Sequence, residues 1–320
     1  MRVVFMGTPD FAVPSLKKIA ESDLELVGIV TRPDKARGRG QKMQATEVKA
    51  FAQELGLDLP ILQPESLKDQ SFLTALKALD VDLFAVVAFM ILPRDVLAIP
   101  RLGSVNVHPS LLPKYRGAAP IQWAVINGEQ DTGVTIFRLT PRVDAGDVLI
   151  QDRVTIGSDE TSGELYERLK LMGAQLLVQA IDGLAKGSIT PIPQSDEGTT
   201  RAPKLAKADG QIDWTKSAYR IRNLVRGLNP FPGAFTSWRG QVLKIHRTTV
   251  VEGSGAPGVV LSLADKTGVI VATGQGALLL DEIQPAGKKR MSGVDFLRGY
   301  GLEHHERLGQ GAGQNVGPGT

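Results

Sequence analysis

The chain has 320 residues, 42% of them apolar and 22% charged, a net charge of +3 and no cysteine. That balance supports a sizeable core and excludes wholesale disorder, and the length suits two domains of roughly 100 to 200 residues each. The lack of thiols excludes disulfides, thiolate zinc sites, iron–sulfur clusters and a cysteine nucleophile.

The start, MRVVFMGTPD, holds too short an apolar run for a signal segment. No stretch of about 18 apolar residues follows, so the expected setting is cytosolic, with no membrane partner. Strands are predicted at 2–6, 24–30, 59–62 and 81–88, with helices at 11–21, 45–55 and 71–79 between them. Apolar runs without alternation belong to a parallel sheet covered on both faces, so the fold class is α/β and doubly wound. A strand at 103–108, a helix at 120–127, extended segments at 132–139 and 147–154 and a helix at 162–184 complete this domain, taken as 1–187.

Residues 188–206 contain three prolines and many small polar side chains, the composition of an extended connector. Beyond it a helix is predicted over 214–227, followed by the short runs AFTSW, QVLKIHRT, GVVLSL, GVIVAT and ALLLDEIQ. Short strands separated by glycine and proline suggest a small β-barrel of the OB type over 207–308. The glycine-rich end, 309–320, is expected to be a disordered tail. Residues 204–320 carry 15 Lys and Arg against 9 Asp and Glu, whereas residues 1–203 carry 22 against 25. A basic second domain fits a polyanionic partner, and on charge alone it fits a solvated surface equally well.

Ligands of doubly wound sheets bind beyond the carboxyl ends of the strands, which is where the strand 103–108 ends in NVHPS. Asn106 and His108 stand two residues apart and so share a face. An amide and an imidazole converging on one atom can stabilise a developing oxyanion. The competing reading of His108 is a buried histidine bonded to backbone. An acid is needed to set its tautomer or hold it protonated, and Asp144 in VDAGDV is the candidate, although Asp before Ala-Gly is also a common turn former.

The turn GTPD is not G-x-G-x-x-G, and no phosphate loop, G-x-S-x-G elbow or H-E-x-x-H occurs. No metal site is expected. The loop PDKARGRGQK, with Lys35, Arg37, Arg39 and Lys42, has the glycine spacing that lets cations follow a phosphate chain. Composition alone does not separate that role from a solvated loop. Arg220, Arg222 and Arg226 on the predicted helix, and Lys288, Lys289 and Arg290 further on, form two more basic groups.

Taken together, GTPDFA, NVHPSLLPKYRGAAPIQWA, DTGVTIF, DAGDVL, KLAKADGQIDW, RGLNPFPGAF and QPAGKKRMSG resemble the methionyl-tRNA formyltransferases over residues 1 to about 300. The resemblance implies transfer of a formyl group from 10-formyltetrahydrofolate to the α-amino group of methionine on initiator tRNA. It implies Asn106, His108 and Asp144 as catalytic residues. Folate is expected along Ser110, Leu111, Leu112 and Pro113, with Phe89 and Ile91. The tRNA is expected to meet Arg37, Arg39 and Lys42 in the loop, and Lys207, Arg222, Arg226, Lys244, Lys288, Lys289 and Arg290 in the second domain. Residues 88–93 (AFMILP) and Pro141 depart from the usual family pattern. The expected enzyme is a monomer without a protein partner. The competing readings are a formyltransferase acting on a nucleotide or amino sugar, and a non-catalytic tRNA-binding protein.

Overall fold

The computed structural model describes residues 1–37, 42–264 and 268–309. The chain divides into two compact units. The first comprises Met1–Pro120, Asp131–Thr155 and Tyr166–Pro203; the second comprises Ile121–Gln130, Ile156–Leu165 and the chain from Lys204 onward.

Along the first 203 residues the elements run β1 (Arg2–Gly7), α1 (Val13–Ala20), β2 (Glu25–Val30), β3 (Lys35–Arg37), β4 (Lys42–Gln44), α2 (Glu47–Glu54), β5 (Ile61–Leu62), α3 (Gln70–Ala78), β6 (Leu83–Val87), α4 (Arg94–Leu97), β7 (Ser104–His108), β8 (Arg116–Gly117), α5 (Pro120–Ile126), β9 (Asp131–Arg138), β10 (Val148–Thr155), α6 (Ser162–Ala185) and β11 (Arg201–Ala202). Seven strands form one sheet in the order β10-β9-β7-β6-β1-β2-β5. The five from β7 to β5 are parallel, and β9 runs antiparallel to both β7 and β10. Val3, Val4, Phe5 and Met6 of β1 are all fully buried, as a central strand covered on both faces requires. Strand order reverses between β1 and β6, and the crevice at such a switch point is where ligands bind.

Local chemistry sets the element ends. The helix expected at 11–21 opens as a 3-10 turn at Asp10–Ala12 and becomes α-helical at Val13, with Pro14 in the first turn, where a missing N–H costs nothing. The helix expected from 45 starts at Glu47 because the Thr46 hydroxyl caps Lys49 N–H. On α6, Gly173 allows close approach to the sheet: a Cβ there would lie 2.7 Å from Val107 Cγ1.

The connector is the main correction in this unit. Residues 188–203 are extended, as composition implied, yet they are bound to the first unit along their length. Val148 and Ile192 exchange both backbone hydrogen bonds, β11 pairs in parallel with β8, and Asp196 bridges Arg116 and Arg142. Backbone partners carry no residue-type signal, so composition gave an extended connector without its pairing.

The second unit adds α7 (Ala218–Gly227), β12 (Ala234–Trp238), β13 (Gln241–Val251), β14 (Val260–Ala264), β15 (Gly268–Ala272), β16 (Ala277–Pro285), β17 (Met291–Ser292) and α8 (Gly293–Tyr300). Its antiparallel sheet has the order β12-β13-β16-β15-β14, with β17 on β16. The sheet is a curled half-barrel, and among the described residues β12 and β14 do not pair. Residues 305–309 fill that seam: Val260 N–H donates to Glu306 O, Leu308 N–H to Gly258 O and Gly309 N–H to Ser237 O, each at 2.8 Å. The core joins Trp214, Ile221 and Val225 to Leu243, Ile245, Leu278, Leu280, Ile283 and Phe296. The helix expected from 214 begins four residues later because Asp213 accepts from Thr215 and Ser217 caps Arg220 N–H. The tail expected at 309–320 lies outside the described residues from 310 on.

Candidate active site

Strand β7 delivers Asn106 and His108 to the carboxyl edge of the first sheet. The His108 side chain is 5% exposed and that of Asp144 is 13% exposed. From the His108 imidazole, Nε2 donates to the Tyr115 carbonyl at 2.9 Å, while Nδ1 faces Asp144 Oδ2 at 3.9 Å. A carbonyl can only accept, so the proton of the neutral ring sits on Nε2 and Nδ1 carries the lone pair. Burial pushes the His108 pKa down, opposed by the charge of Asp144 and by the Tyr115 carbonyl.

Burial thus favours the neutral imidazole, and one expectation is corrected. The ring's orientation comes from the Tyr115 carbonyl and not from Asp144, whose 3.9 Å separation is too long for a hydrogen bond. Asp144 acts on the ring through its charge, and its Oδ2 accepts from Gly117 N–H at 2.8 Å. The backbone-bonded histidine and the site histidine are the same residue.

Three non-glycine residues around this site adopt positive φ: Ala88 at 47°, Tyr115 at 60° and Asp144 at 50°. L residues occupy that region at a cost of about 1–2 kcal/mol each, and such strain collects where surrounding contacts fix a functional geometry. Gly117 is required on two counts. Its φ is 132°, and a Cβ there would lie 2.5 Å from Ala202 O.

A cleft of roughly 100 Å³ opens beside the pair, walled by Val86, Phe89, Met90, Ile91, Leu97 and Leu139, with Asn106, Thr140 and Asp144 as its polar groups. Phe89 and Ile91 are both on this wall. The loop at 110–113 is held by its own hydrogen bonds. Ser110 is fully buried and its hydroxyl donates to Lys114 O. Thr135 Oγ1 donates to Ser110 O and accepts from Leu112 N–H and Gln151, and Gln151 donates to Leu112 O. Ser110, Leu111, Leu112 and Pro113 are absent from the cleft wall, and the loop's visible work is to carry Tyr115 back onto His108. Val143 and Thr140, which the sequence did not single out, also line the cleft, as does Leu92 of the 88–93 segment. Among the described residues no group of His, Asp and Glu could hold a metal ion.

The basic residues separate by burial. Arg226 is 9% exposed and its guanidinium donates to Gly157 O, Glu160 O and Asn223 Oδ1, so it ties the second unit together and does not face a partner. Burial pushes its pKa down from the usual arginine value. Arg222 donates to Ser158 O and Asp159, and Arg290 lies 3.6 Å from Glu282 Oε2. Lys207, Lys288 and Lys289 are exposed, and Lys244 is half-buried on β13. Arg37 and Lys42 are register partners in the β3–β4 pair, and Arg39 lies outside the described residues.

Comparison with known proteins gives two matching family patterns, Formyl transferase over residues 1–181 and Formyl transferase, C-terminal domain over residues 204–301. A methionyl-tRNA formyltransferase of Alkaliphilus oremlandii is 46% identical over 313 residues, 97% of this chain and 100% of its own. One from Geobacter metallireducens is 44% identical over 310 residues, 97% and 99% of the two chains. The chain belongs to the methionyl-tRNA formyltransferase family. Solved structures at lower identity share the family's fold. An N-formyltransferase from Helicobacter canadensis, in complex with folinic acid and dTDP-3-aminofucose, has a TM-score of 0.64 at 18% identity and covers 90% of this chain and 99% of its own. HypX from Aquifex aeolicus, in complex with tetrahydrofolic acid, has a TM-score of 0.62 at 18% identity over 93% of this chain and 47% of that one.

Proposed function

We infer that the protein transfers the formyl group of 10-formyltetrahydrofolate to the α-amino group of methionine on initiator tRNA. The observation that carries the reading is Asp144, which lines one cleft with Asn106 and lies 3.9 Å from Nδ1 of His108, in a chain aligned with methionyl-tRNA formyltransferases over 97% of its length.

The cleft chemistry suits the folate donor, since an apolar wall of Phe89, Ile91 and Leu97 can cover a flat ring while Asn106 and Asp144 present polar groups beside it. Bound there, the folate supplies the formyl carbon that the amine attacks. An ester-linked α-amine has a pKa no higher than roughly 7.7–8.0, so much of it is already a neutral nucleophile and no covalent enzyme adduct is needed. Attack moves negative charge onto the formyl oxygen, to which the Asn106 amide donates. The proton shed by the amine passes to Nδ1 of neutral His108, and Asp144 stabilises the imidazolium through space. Nδ1 then returns that proton to the departing folate nitrogen, so proton and charge balance over the cycle.

Lys288, Lys289 and Lys207, exposed on the basic second unit, suit contact with RNA phosphates, as do Arg37 and Lys42 at the mouth of the glycine-spaced loop. We take the enzyme to act as a monomer in the cytoplasm; no helix among the described residues is long and apolar enough to cross a membrane. The test is direct: the protein is incubated with 10-formyltetrahydrofolate and either methionyl-initiator-tRNA, glycinamide ribonucleotide or a nucleotide-linked amino sugar. Formylation confined to the tRNA is expected. Formylation of either small amine in its place would overturn the assignment.

A further inference from the structure

The connector segment 192–202 grips both loops that hold the catalytic side chains. On one side Thr200 Oγ1 accepts from Tyr115 N–H at 2.8 Å, Thr200 O accepts from Arg116 N–H at 3.0 Å, and Ala202 O accepts from Ala119 N–H at 3.1 Å. These bonds fix β8, whose neighbouring residue Tyr115 offers its carbonyl to His108 and whose Gly117 offers its N–H to Asp144. On the other side Gln194 Nε2 donates to Gly146 O at 2.6 Å, Asp196 pairs with Arg142, and Ile192 bridges to Val148, so residues 142–148, which carry Asp144, are held by the same segment. Gln194 and Asp196 also bind the Arg116 guanidinium and so link the two loops directly.

We propose that residues 192–202 are a positioning strap for the catalytic pair, with Thr200 as its setting residue. Resting on the formyl-transfer reading, the proposal makes Thr200 a group that acts through others: it holds Tyr115 in a backbone conformation that L residues avoid, and thereby holds the carbonyl that fixes the tautomer of His108. Sequence reading treats this stretch as a spacer. The structure ties it to the loops of both residues whose 3.9 Å separation defines the acid–base site.

Thr200 is exposed, so its replacement leaves the core untouched. Thr200→Val removes the acceptor for Tyr115 N–H, and Thr200→Ser keeps it. The expected result for Thr200→Val is a kcat about 10-fold lower with KM for both substrates within about twofold, as follows when an interaction acts only on the chemical step. Thr200→Ser should restore kcat to within about threefold of the parent. Gln194→Ala, which releases the other loop, should also lower kcat without raising KM. Independently of any substrate, 15N NMR of imidazole-labelled protein should show the Nε2–H form of His108 in the parent and in Thr200→Ser, and a mixture of tautomers in Thr200→Val. Unchanged kcat and tautomer in Thr200→Val overturn the proposal, as does equal loss in the Val and Ser variants. Because the NMR readout needs neither folate nor tRNA, a protein that failed to formylate methionyl-tRNA would sink the functional reading and leave the strap still measurable.

Discussion

At the scale of single residues the site works by dividing labour among groups that look alike in sequence. Asn106 presents an amide on the cleft wall and is the oxyanion donor in the proposed reaction, so Asn106→Ala should lower kcat by about 10²-fold or more, the worth of one such donor, with the melting temperature little changed. Near-parent turnover in the folded variant would remove Asn106 from the chemistry. Asp144 has a different task, because at 3.9 Å it affects the imidazole by charge alone. Its carboxylate is one of two influences that oppose the lowering of the His108 pKa by burial. Asp144→Asn should therefore move the His108 titration further below the ordinary histidine value and cut kcat by about 10²-fold. NMR titration of the free protein checks the first effect, and an unmoved midpoint would show that Asp144 does not act on the ring. Asn106 and His108 were legible because a strand's period of two is a property of sequence. The partners that hold His108 and Asp144, a carbonyl at Tyr115 and an amide at Gly117, were not, since nearly every residue has those groups and only the fold decides which are used.

At the scale of elements, order along the chain was easier to read than contact. The apolar runs at β1, β2 and β6 identified a parallel sheet, because burial on both faces leaves few polar positions, and the NVHPS end of β7 marked its active edge. Helix α7 shows where that kind of reading stops. Arg222 and Arg226 share a face and a sign of charge, and both were grouped with RNA-binding lysines, yet Arg226 is buried on three acceptors. Charge records nothing about burial. The two classes separate on measurement. Arg226→Met removes the guanidinium hydrogen bonds to Gly157 O, Glu160 O and Asn223 Oδ1 and should destabilise the second unit by about 2 kcal/mol. The dependence of tRNA affinity on salt should then keep its parent slope. Replacing both Lys288 and Lys289 by Ala should do the reverse, leaving stability unchanged and lowering the slope of log K against log salt by about 2, since each phosphate left without its lysine accounts for about 0.9. A parent slope in the double variant would mean that the lysines do not meet the RNA backbone.

At the scale of the whole molecule, each unit buries one neutral histidine, and this ties stability to pH in a definite direction. In the second unit His246 is 4% exposed. Its Nε2 donates to Gln284 Oε1 at 3.1 Å, because the Gln284 amide N–H is already given to Lys288 O. Its Nδ1 has no partner among the described residues. Burial lowers the pKa of His246 first, and the charges of Arg290 and Lys244 lower it further. For a base whose folded pKa lies below its unfolded value of about 6.5, the unfolded chain takes up the proton first. Stability is therefore complete above pH 6.5 and is lost as the pH falls below it, with a slope that approaches about 1.4 kcal/mol per pH unit for each histidine. The same sign holds for His108 in the first unit. All three tryptophans, Trp123, Trp214 and Trp238, belong to the second unit, so their fluorescence follows that unit while far-UV dichroism follows both. Between pH 7.5 and 5.5, above the range where ordinary carboxylates titrate, urea unfolding followed by tryptophan fluorescence should shift to lower denaturant in the parent. In His246→Gln, whose amide nitrogen can still donate to Gln284, that shift should shrink. The component seen only by dichroism should keep its dependence on His108. A fluorescence transition with the same pH dependence in parent and variant would show that His246 is not the group that titrates.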